Sequence, residues 1–238
     1  MIARQPYLRL MAVALLLVVT SGCAARQNGN PRDPWEGYNR AVFSFNEGLD
    51  RAIIKPVAKG YEAVVPTPIN TIITNFFSNI GDVLTAVNNL LQGKVRDSAS
   101  DFSRVVLNST LGIGGLIDVA TGMTFEKHDE DFGQTFARWG FGNGPYFVLP
   151  LFGPSTIRDS FGLLADWQSD PLTYVRPYVL RDSVTGLRFI DTRADLFSAE
   201  KVVEAGAIDK YAYLRDAYFQ HRNYVIFDGM PPREEESE

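Results

Sequence analysis

The sequence INTIITNFFSNIGDVLTAVNNLL, residues 69–91, is the longest helical pattern in the chain. Apolar side chains recur every three or four positions and cover well over half of a helical surface, which predicts one long helix. The other positions carry mostly amides and hydroxyls, and Asp82 is the only charged residue among them. Two environments suit such a helix: the interior of a helical core, or an interfacial position in which the broad apolar face meets lipid tails.

A second helical pattern precedes this stretch. From Trp35 to Tyr61 the apolar residues lie three or four positions apart. Asp33 is the expected N-cap, with Pro34 at the first helical position. Because the ring of Pro56 clashes with the carbonyl four residues earlier, Pro56 should kink or break this pattern, and we predict two helices, about 34–54 and 56–65.

A conventional amphipathic helix is predicted after residue 91. Its apolar side carries Ala99, Phe102, Val105 and Val106, and its opposite side carries Arg96, Asp97, Asp101 and Arg104. The pattern runs into Gly112, Gly114 and Gly115. Three glycines in four residues disfavour a helix and imply a bend or the close approach of this backbone to another group.

The segment 128–154 is rich in glycine and proline, which argues against a regular helix there. A short hairpin turning at Asn143-Gly144 fits the segment, and Pro150 would confine its second strand to an edge. Further helices are predicted near 156–166, 171–190, 192–205 and 209–227. The expected fold is mainly α: one domain over 34–228, with a Gly/Pro-rich loop or small hairpin near 136–154.

The N-terminus is typical of an exported lipoprotein. Arg4 and Arg9 precede an apolar run at 10–19, which is much shorter than the roughly 20 residues needed to cross a bilayer. Thr20-Ser21-Gly22-Cys23 resembles a bacterial lipobox, whose cysteine receives a diacylglyceryl group and becomes the acylated N-terminus. We therefore predict a removed signal peptide at 1–22, lipidation of Cys23 and a short tether over 23–33. The alternative is a soluble periplasmic protein with a free thiol.

Two details refine the expected location. The residues after the cysteine are Ala24 and Ala25, and by resemblance to the sorting rule of Gram-negative lipoproteins the lack of Asp at the first of them indicates the outer membrane. The tether spans at most about 40 Å at ~3.5 Å per residue. The domain is therefore expected to stay close to the membrane.

Charge and composition exclude several classes. Loss of residues 1–22 removes two of 23 basic residues and none of the 28 acidic ones, so the mature chain carries a net charge of −7. Such a chain is a poor candidate for binding nucleic acid. A single cysteine cannot form an internal disulfide. The acidic residues of 229–238 predict a solvated, disordered tail.

No catalytic constellation stands out. His128 and His221 belong to no metal-ligand spacing, and the sequence contains no P-loop, dinucleotide fingerprint or nucleophile elbow. We expect no metal, no nucleotide and no cofactor besides the lipid on Cys23. Arg158, Asp159 and Asp166 are the strongest candidates for a special role. Asp159 and Asp166 share one helical face beside apolar side chains, where they could line a passage for a lipid headgroup. A helix-surface salt bridge is the alternative.

Five ordered blocks between about 33 and 228 resemble the signatures of the MlaA (VacJ) family of outer-membrane lipoproteins. They are 33–46, 108–118, 131–135 with 144–146, 149–159 and 215–219. The first block carries the opening signature residues Asp33, Pro34, Trp35, Asn39, Arg40, Phe43, Phe45 and Asn46.

This resemblance implies a non-enzymatic helical protein that lies as a ring in the inner leaflet of the outer membrane, beside a trimeric porin. Misplaced outer-leaflet phospholipid would pass through its amphipathic channel to a soluble periplasmic carrier, which maintains lipid asymmetry. We expect Arg158, Asp159 and Asp166 along the headgroup path. A hinge or gate is expected at Gly112, Gly114, Gly115, Gly142, Gly144 and Pro145. A structural outer-membrane lipoprotein and a lipid hydrolase are the rival hypotheses.

Overall fold

The computed structural model describes residues 30–232, and its helical content confirms the mainly α prediction. Cys23, the signal peptide, most of the tether and residues 233–238 lie outside the described residues. The helices and strands are α1 (Glu36–Leu49), a π-helical turn (Asp50–Ile54), α2 (Lys55–Val64), α3 (Thr67–Leu91), α4 (Val95–Thr110), α5 (Val119–Gly122), α6 (Phe132–Arg138), β1 (Tyr146–Leu149), β2 (Gly153–Thr156), α7 (Ile157–Ser169), a 3-10 turn (Pro171–Tyr174), α8 (Tyr178–Asp195), α9 (Phe197–Gly206) and α10 (Lys210–Ile226).

Of the two outcomes expected at Pro56, a kink or a break, the break is wrong. A π-helical turn, Asp50–Ile54, joins α1 to α2, and Lys55 keeps helical angles of φ −60° and ψ −44°. A π turn is wider than an α turn, so the carbonyl four residues before Pro56 moves away from the proline ring. The chain therefore accommodates the proline by widening one turn instead of ending the helix.

The predicted helix start is also wrong. α1 begins at Glu36, and its N-cap Trp35 makes no side-chain capping bond. Asp33 is instead fully buried and accepts hydrogen bonds from Asn39, Tyr211 and Arg215. A carboxylate gains more from a guanidinium and two neutral donors than from one backbone N–H, so these distant partners replace the local cap.

α3 and α4 form the longest helical pair of the fold. Gly93, at φ +82°, closes the end of α3: its N–H donates to Leu90, and the N–H of Lys94 donates to Asn89. This is the glycine-terminated Schellman arrangement, which reverses the chain within three residues. The two helices consequently pack along one another over much of their length.

The polarity of this pair is the reverse of a water-soluble helical hairpin. Phe102 on α4 is 63% exposed, whereas Arg104, two residues later, is 1% exposed. α3 likewise exposes Ile69, Val87 and Leu90. The buried polar side chains of the two helices are Asn79, Asp82, Thr85, Asn88, Asn89, Asp101, Arg104 and Asn108. The predicted helices are thus present, but the expectation of conventional amphipathicity for α4 is wrong, and α3 is not buried in an apolar core.

The Gly/Pro-rich middle contains one short helix and one hairpin. The helix Phe132–Arg138 contradicts the expectation of irregular structure there; it is capped by the side chain of Asp131. The hairpin pairs Tyr146 with Thr156 and Leu149 with Gly153. Its turn lies at 150–152, not at the predicted Asn143-Gly144, because α1 fixes the register of β1, as described below.

The small apolar core lies where the hairpin meets the first and last helices. Tyr146, Val148 and Tyr211 are its buried members, and partly buried side chains of α1 and α10 pack around them. α7 packs against α6, and α8 packs against both α2 and α3. Within residues 30–232 no helix has the length and apolarity required to cross a membrane.

Candidate functional site

Two asparagines of the opening signature fasten the hairpin to α1. The side chain of Asn39 donates to the carbonyl of Tyr146 at 3.3 Å and accepts from the N–H of Val148 at 2.8 Å. Asn46, two helical turns later, makes the same kind of pair at the end of β1, at 3.0 and 2.9 Å. These four bonds set which hairpin residues face α1.

The same signature builds a buried ionic cluster. Asp33 accepts from Asn39 at 2.7 Å, from the Tyr211 hydroxyl at 2.5 Å and from Arg215 at 3.2 Å. Burial and the bond to Asp33 raise the pKa of Tyr211, so its hydroxyl remains a donor. Arg40 lies over the ring of Tyr211 and pairs with Glu36 and Asp209.

The other signature residues divide between this cluster and the surface. Phe43 packs edge-on against Tyr211, whereas Pro34, Trp35 and Phe45 are exposed. The polar members of the signature thus hold the two ends of the described chain together, and part of its apolar content faces outward.

Arg158 and Asp159 belong to a larger cluster that also contains Asp131, Tyr218 and Arg222. Nε and Nη2 of Arg158 lie 2.9 and 2.8 Å from Oδ1 of Asp159. The hydroxyl of Tyr218 donates to Asp159 at 2.5 Å, and Arg222 bridges Asp159 to Asp131. Burial alone would raise the pKa of Asp159, but the two guanidinium groups and the Tyr218 hydroxyl together lower it.

Asp166 is placed apart from that pair. Its carboxylate accepts from the backbone N–H of Phe132 at 3.0 Å, at the start of α6. Burial, reinforced by Asp131 and Asp129, raises its pKa to about 7. The fold therefore brings Arg158 and Asp159 into direct contact and gives Asp166 a separate environment at the start of α6.

α6 and α7 pack closely at Gly162, which lies between Asp159 and Asp166 on α7. A Cβ on Gly162 of α7 would lie 2.4 Å from the backbone nitrogen of Gly133 on α6. Asp159 and Asp166 flank Gly162 on the face of α7 that meets α6. The simple surface salt bridge is not what the structure contains, since Arg158 and Asp159 are both largely buried.

The predicted hinge glycines fall into two geometries. Three consecutive residues, Ile113, Gly114 and Gly115, have positive φ. A Cβ on Gly112 would meet the carbonyl of Ile117 at 2.1 Å, and one on Gly115 would meet the Asn79 side chain at 2.6 Å. The segment after α4 thus shows both the bend and the close approach. Whether it acts as a hinge remains a prediction.

The second glycine group borders a cavity. Gly144, at φ +66°, packs against Ile157, whereas Gly142 has open space around it, and Pro145 lies between Gly144 and β1. A cavity of about 920 Å³ is lined by this loop, by Arg158 and Arg222, and by the last turns of α10. The cavity is therefore lined by one residue predicted for the headgroup path, Arg158, and by two predicted hinge residues, Gly142 and Gly144.

Sequence reasoning missed several members of the polar interior. Arg222, Tyr218 and Asp131 complete the Asp159 cluster, and Arg104 organises the α3–α4 interior through Asp82 and Asp118. Two signals were available: the scarcity of charge on the polar side of α3, and the presence of Asp131 and Tyr218 in the family-like blocks 131–135 and 215–219. In residues 30–232 no group of three or more His, Cys, Asp or Glu is arranged to hold a metal.

Comparisons with known proteins agree with one another. A family model described as MlaA lipoprotein matches residues 31–225. Two proteins named "Intermembrane phospholipid transport system lipoprotein MlaA", from Escherichia coli (strain K12) and Shigella flexneri, are each 36% identical over 236 residues, covering 95% of this chain and 92% of theirs.

A solved structure points the same way. It comes from work on the structural basis for maintenance of bacterial outer membrane lipid asymmetry, and it is 35% identical with a TM-score of 0.72. The similarity covers 82% of this chain and 98% of that one. A family model over most of the chain and relatives of this identity leave one assignment: the chain belongs to the MlaA lipoprotein family.

Proposed function

We propose that this protein is an outer-membrane lipoprotein that removes misplaced phospholipid from the outer leaflet and passes it to a soluble periplasmic carrier. In this proposal the domain lies in the inner leaflet, as a helical ring around an amphipathic channel. Transport is retrograde and maintains the lipid asymmetry of the membrane. The names of the relatives and the subject of the solved structure support this class of function.

The reversed polarity of the α3–α4 pair is the observation that carries the proposal. Burying an ionised group without partners is expensive, whereas an apolar side chain in contact with lipid incurs no such penalty. A fold that encloses Asp82 and Arg104 while presenting Phe102 and Val106 outward is suited to an apolar surrounding.

Cys23 anchors this domain in the proposal, with its acyl chains in the same leaflet. The tether of about ten residues limits how far the domain can move from its anchor. Asp33, at the end of the tether, is held by Tyr211 and Arg215 of α10. The anchor therefore acts on a rigid point of the domain and orients it as well as retaining it.

The headgroup path is assigned to the cavity next to Arg158, and Asp159 and Asp166 belong to the packed layer behind it. Arg158 and Arg222 line the cavity and carry positive charge toward a phosphate, while Asp159 and Asp131 hold both guanidinium groups in place. The glycines at 112–115 and 142–144, with Pro145, are proposed to permit gating. A trimeric porin and a soluble periplasmic carrier are the proposed protein partners.

Phospholipid transfer tests this function. The purified full chain, incorporated into liposomes that contain an acyl-labelled phospholipid, is mixed with a soluble periplasmic carrier, and transfer is followed by fluorescence. We expect transfer that depends on the protein and the carrier. A structural scaffold would give no transfer, and a lipid hydrolase would release fatty acid, which mass spectrometry of the same samples detects.

Embedding in the leaflet has its own test. A Cys23→Ser variant, exported through an ordinary cleavable signal, lacks the lipid anchor but keeps the whole domain. We expect it to remain with membranes after washing in high salt, because its apolar faces provide the contact. Recovery of this variant as a freely soluble periplasmic protein would contradict the embedded position. A Phe102→Ser, Val106→Ser version should shift the variant toward the soluble fraction.

A further inference from the structure

A second cavity, of about 500 Å³, opens between the C-terminal half of α7 and residues 181–188 of α8. Its floor is the 3-10 turn, where Leu172 is buried. Arg181, Thr185 and Arg188 line the α8 side at positions i, i+4 and i+7 of one helical face. A volume of this size is typical of small-molecule sites. None of the residues assigned above to the headgroup path lines this cavity.

The charged side chains of the cavity form two arginine–aspartate pairs. Nη2 of Arg181 lies 2.7 Å from Asp182, and both side chains are substantially exposed. Nη2 of Arg188 lies 2.5 Å from Asp170, whose side chain is almost fully buried and also caps the 3-10 turn through the N–H of Leu172. The lining thus carries two positive and two negative charges.

The two pairs differ in how readily they can exchange partners. Exposed ion pairs contribute about 0–1 kcal/mol, so Arg181 can leave Asp182 for a ligand at little expense. Arg188 donates one hydrogen bond to Asp170, and a guanidinium has five N–H donors in all. It can therefore keep its structural bond while a second edge meets a ligand.

An apolar wall continues from the cavity to the surface. Leu164 and Trp167 of α7 line the cavity and are mostly exposed. Phe161, one turn before Leu164, is also exposed, and the ring of Phe152 lies 6.5 Å from that of Trp167, tilted by 50°. An amphiphile could place its head among the charges and its chains along this wall.

We propose that this cavity binds the zwitterionic headgroup of a phospholipid, with the phosphodiester on Arg181 and Arg188 and the ammonium on Asp182. This inference rests on the proposed function and adds a preference for the headgroup. Guanidinium groups bind phosphate oxygens in bidentate fashion, and a carboxylate is the natural partner of an ammonium. A purely anionic head would leave Asp182 unneutralised beside it, so a lining of balanced charge favours a head that carries both signs.

The test measures which lipids the protein retains. Full-length protein is incorporated into vesicles of equal parts phosphatidylethanolamine and phosphatidylglycerol, re-isolated in detergent, and its bound lipids are quantified by mass spectrometry. We expect phosphatidylethanolamine to be enriched about threefold or more in the wild-type protein. Asp182→Asn should return the ratio to that of the vesicles, because the ammonium loses its partner. Arg181→Gln should lower total retained lipid about three- to tenfold, the range expected for one charge-assisted hydrogen bond at a partly exposed site.

Matched controls separate binding from folding. Arg96→Gln on α4 and Glu62→Gln on α2 remove exposed charges outside the cavity and should leave the ratio and the total unchanged. Arg188→Gln risks unfolding because Asp170 would lose its partner; Arg188→Lys keeps that charge and should weaken retention by losing the planar fork.

The outcomes distinguish this inference from the proposed function. A wild-type ratio equal to that of the vesicles, a ratio unaffected by Asp182→Asn, or a total of retained lipid unaffected by Arg181→Gln overturns the headgroup site even if the liposome assay shows transfer. Enrichment of phosphatidylglycerol overturns it in favour of an anionic head. Failure of the proposed function appears separately, as wild-type protein that transfers no phospholipid of any kind to the carrier.

Discussion

Arg104 of α4 donates from Nη2 to Oδ2 of Asp118, at 2.9 Å, across the glycine-rich turn that follows the helix. The same guanidinium reaches Asp82 on α3, at 3.4 Å, and the carbonyl of Phe125, at 2.9 Å. One side chain therefore joins α3, α4 and the loop that leads to α6. Burial raises the pKa of Asp118, but hydrogen bonds from Thr121, and then from Arg104 and Asn108, lower it overall, so Asp118 remains ionised.

Arg104→Ala should destabilise the fold by about 3 kcal/mol, the lower end of the range for breaking a buried ion pair, because Asp118 would lose its guanidinium partner while Asp82 would keep Lys127. Thermal unfolding in detergent, followed by circular dichroism, measures the change. Arg96→Ala on the exposed side of the same helix is the control and should change the stability by less than about 0.5 kcal/mol. Equal effects of the two substitutions would contradict the organising role of Arg104.

Gly162→Ala should separate α6 from α7. The added Cβ would lie 2.4 Å from the nitrogen and 2.7 Å from the Cα of Gly133, and backbone atoms cannot rotate away. We expect a loss of about 1–3 kcal/mol. Gly186→Ala, on α8 with nothing within 4 Å, should instead stabilise by up to about 1 kcal/mol. Melting temperatures of the two variants test this packing. A shift in the same direction for Gly162→Ala and Gly186→Ala would contradict it.

Stability should fall as the pH rises toward 7 because of Asp166. Burial raises its pKa in the folded state to about 7, whereas an unfolded aspartate titrates near 3.9. The folded state therefore binds this proton more tightly; the stabilisation is complete below pH ~4 and is lost as the pH rises through ~7. With allowance for partial exposure, the contribution is about 2 kcal/mol.

Asp166→Asn should remove this dependence while keeping an acceptor for the Phe132 N–H. We expect the variant to be more stable than wild type at pH 8 and closer to it at pH 4.5, in thermal unfolding at both values. The exposed Asp182→Asn variant is the control. A difference between Asp166→Asn and wild type that is the same at both pH values would rule out the titration of this group.

Asn39→Ala should destabilise more than Asn46→Ala, although both asparagines make paired bonds to the hairpin. Asn39 is fully buried and also donates to Asp33. Its loss leaves the Tyr146 carbonyl and the Val148 N–H unpaired, at about 1–3 kcal/mol for each unsatisfied group before relaxation, and removes one of the three donors to Asp33. Asn46 is partly exposed, and water can replace its bonds. Chemical unfolding in detergent compares the stabilities of the two variants. A larger loss for Asn46→Ala than for Asn39→Ala would refute the role of Asn39 in holding the hairpin.

Periodicity predicted where the helices lie better than which way they face. The pattern at 69–91 corresponds to Thr67–Leu91, because spacing reports the helical repeat. Orientation depends on whether the surroundings are water or lipid, and spacing is the same in both. The sparse charge of α3 left both environments open, while the charged residues of α4 led to the wrong choice.

Local rules failed where distant partners were stronger. Asp33 looks like an N-cap, yet Tyr211 and Arg215 lie about 180 positions away in sequence and no local pattern reveals them. Asn143-Gly144 is a good hairpin turn, but Asn39 and Asn46 fix a register that places the turn after Leu149. The sequence alone singled out Arg158 and Asp159 as candidates. Their contacts with Arg222 and Tyr218 became visible only in the folded structure.

The polar interface between α3 and α4 has a calorimetric consequence. Hydration of apolar surface raises the heat capacity on unfolding, whereas hydration of polar surface lowers it. When these helices separate, many of the newly hydrated groups are amides, carboxylates and a guanidinium, whereas much of the apolar surface, including Phe102, Val87 and Leu90, is already exposed in the folded protein. The heat capacity of unfolding should therefore fall well below the ~12–15 cal/mol/K per residue of water-soluble proteins, and the stability of the domain should vary with temperature almost linearly.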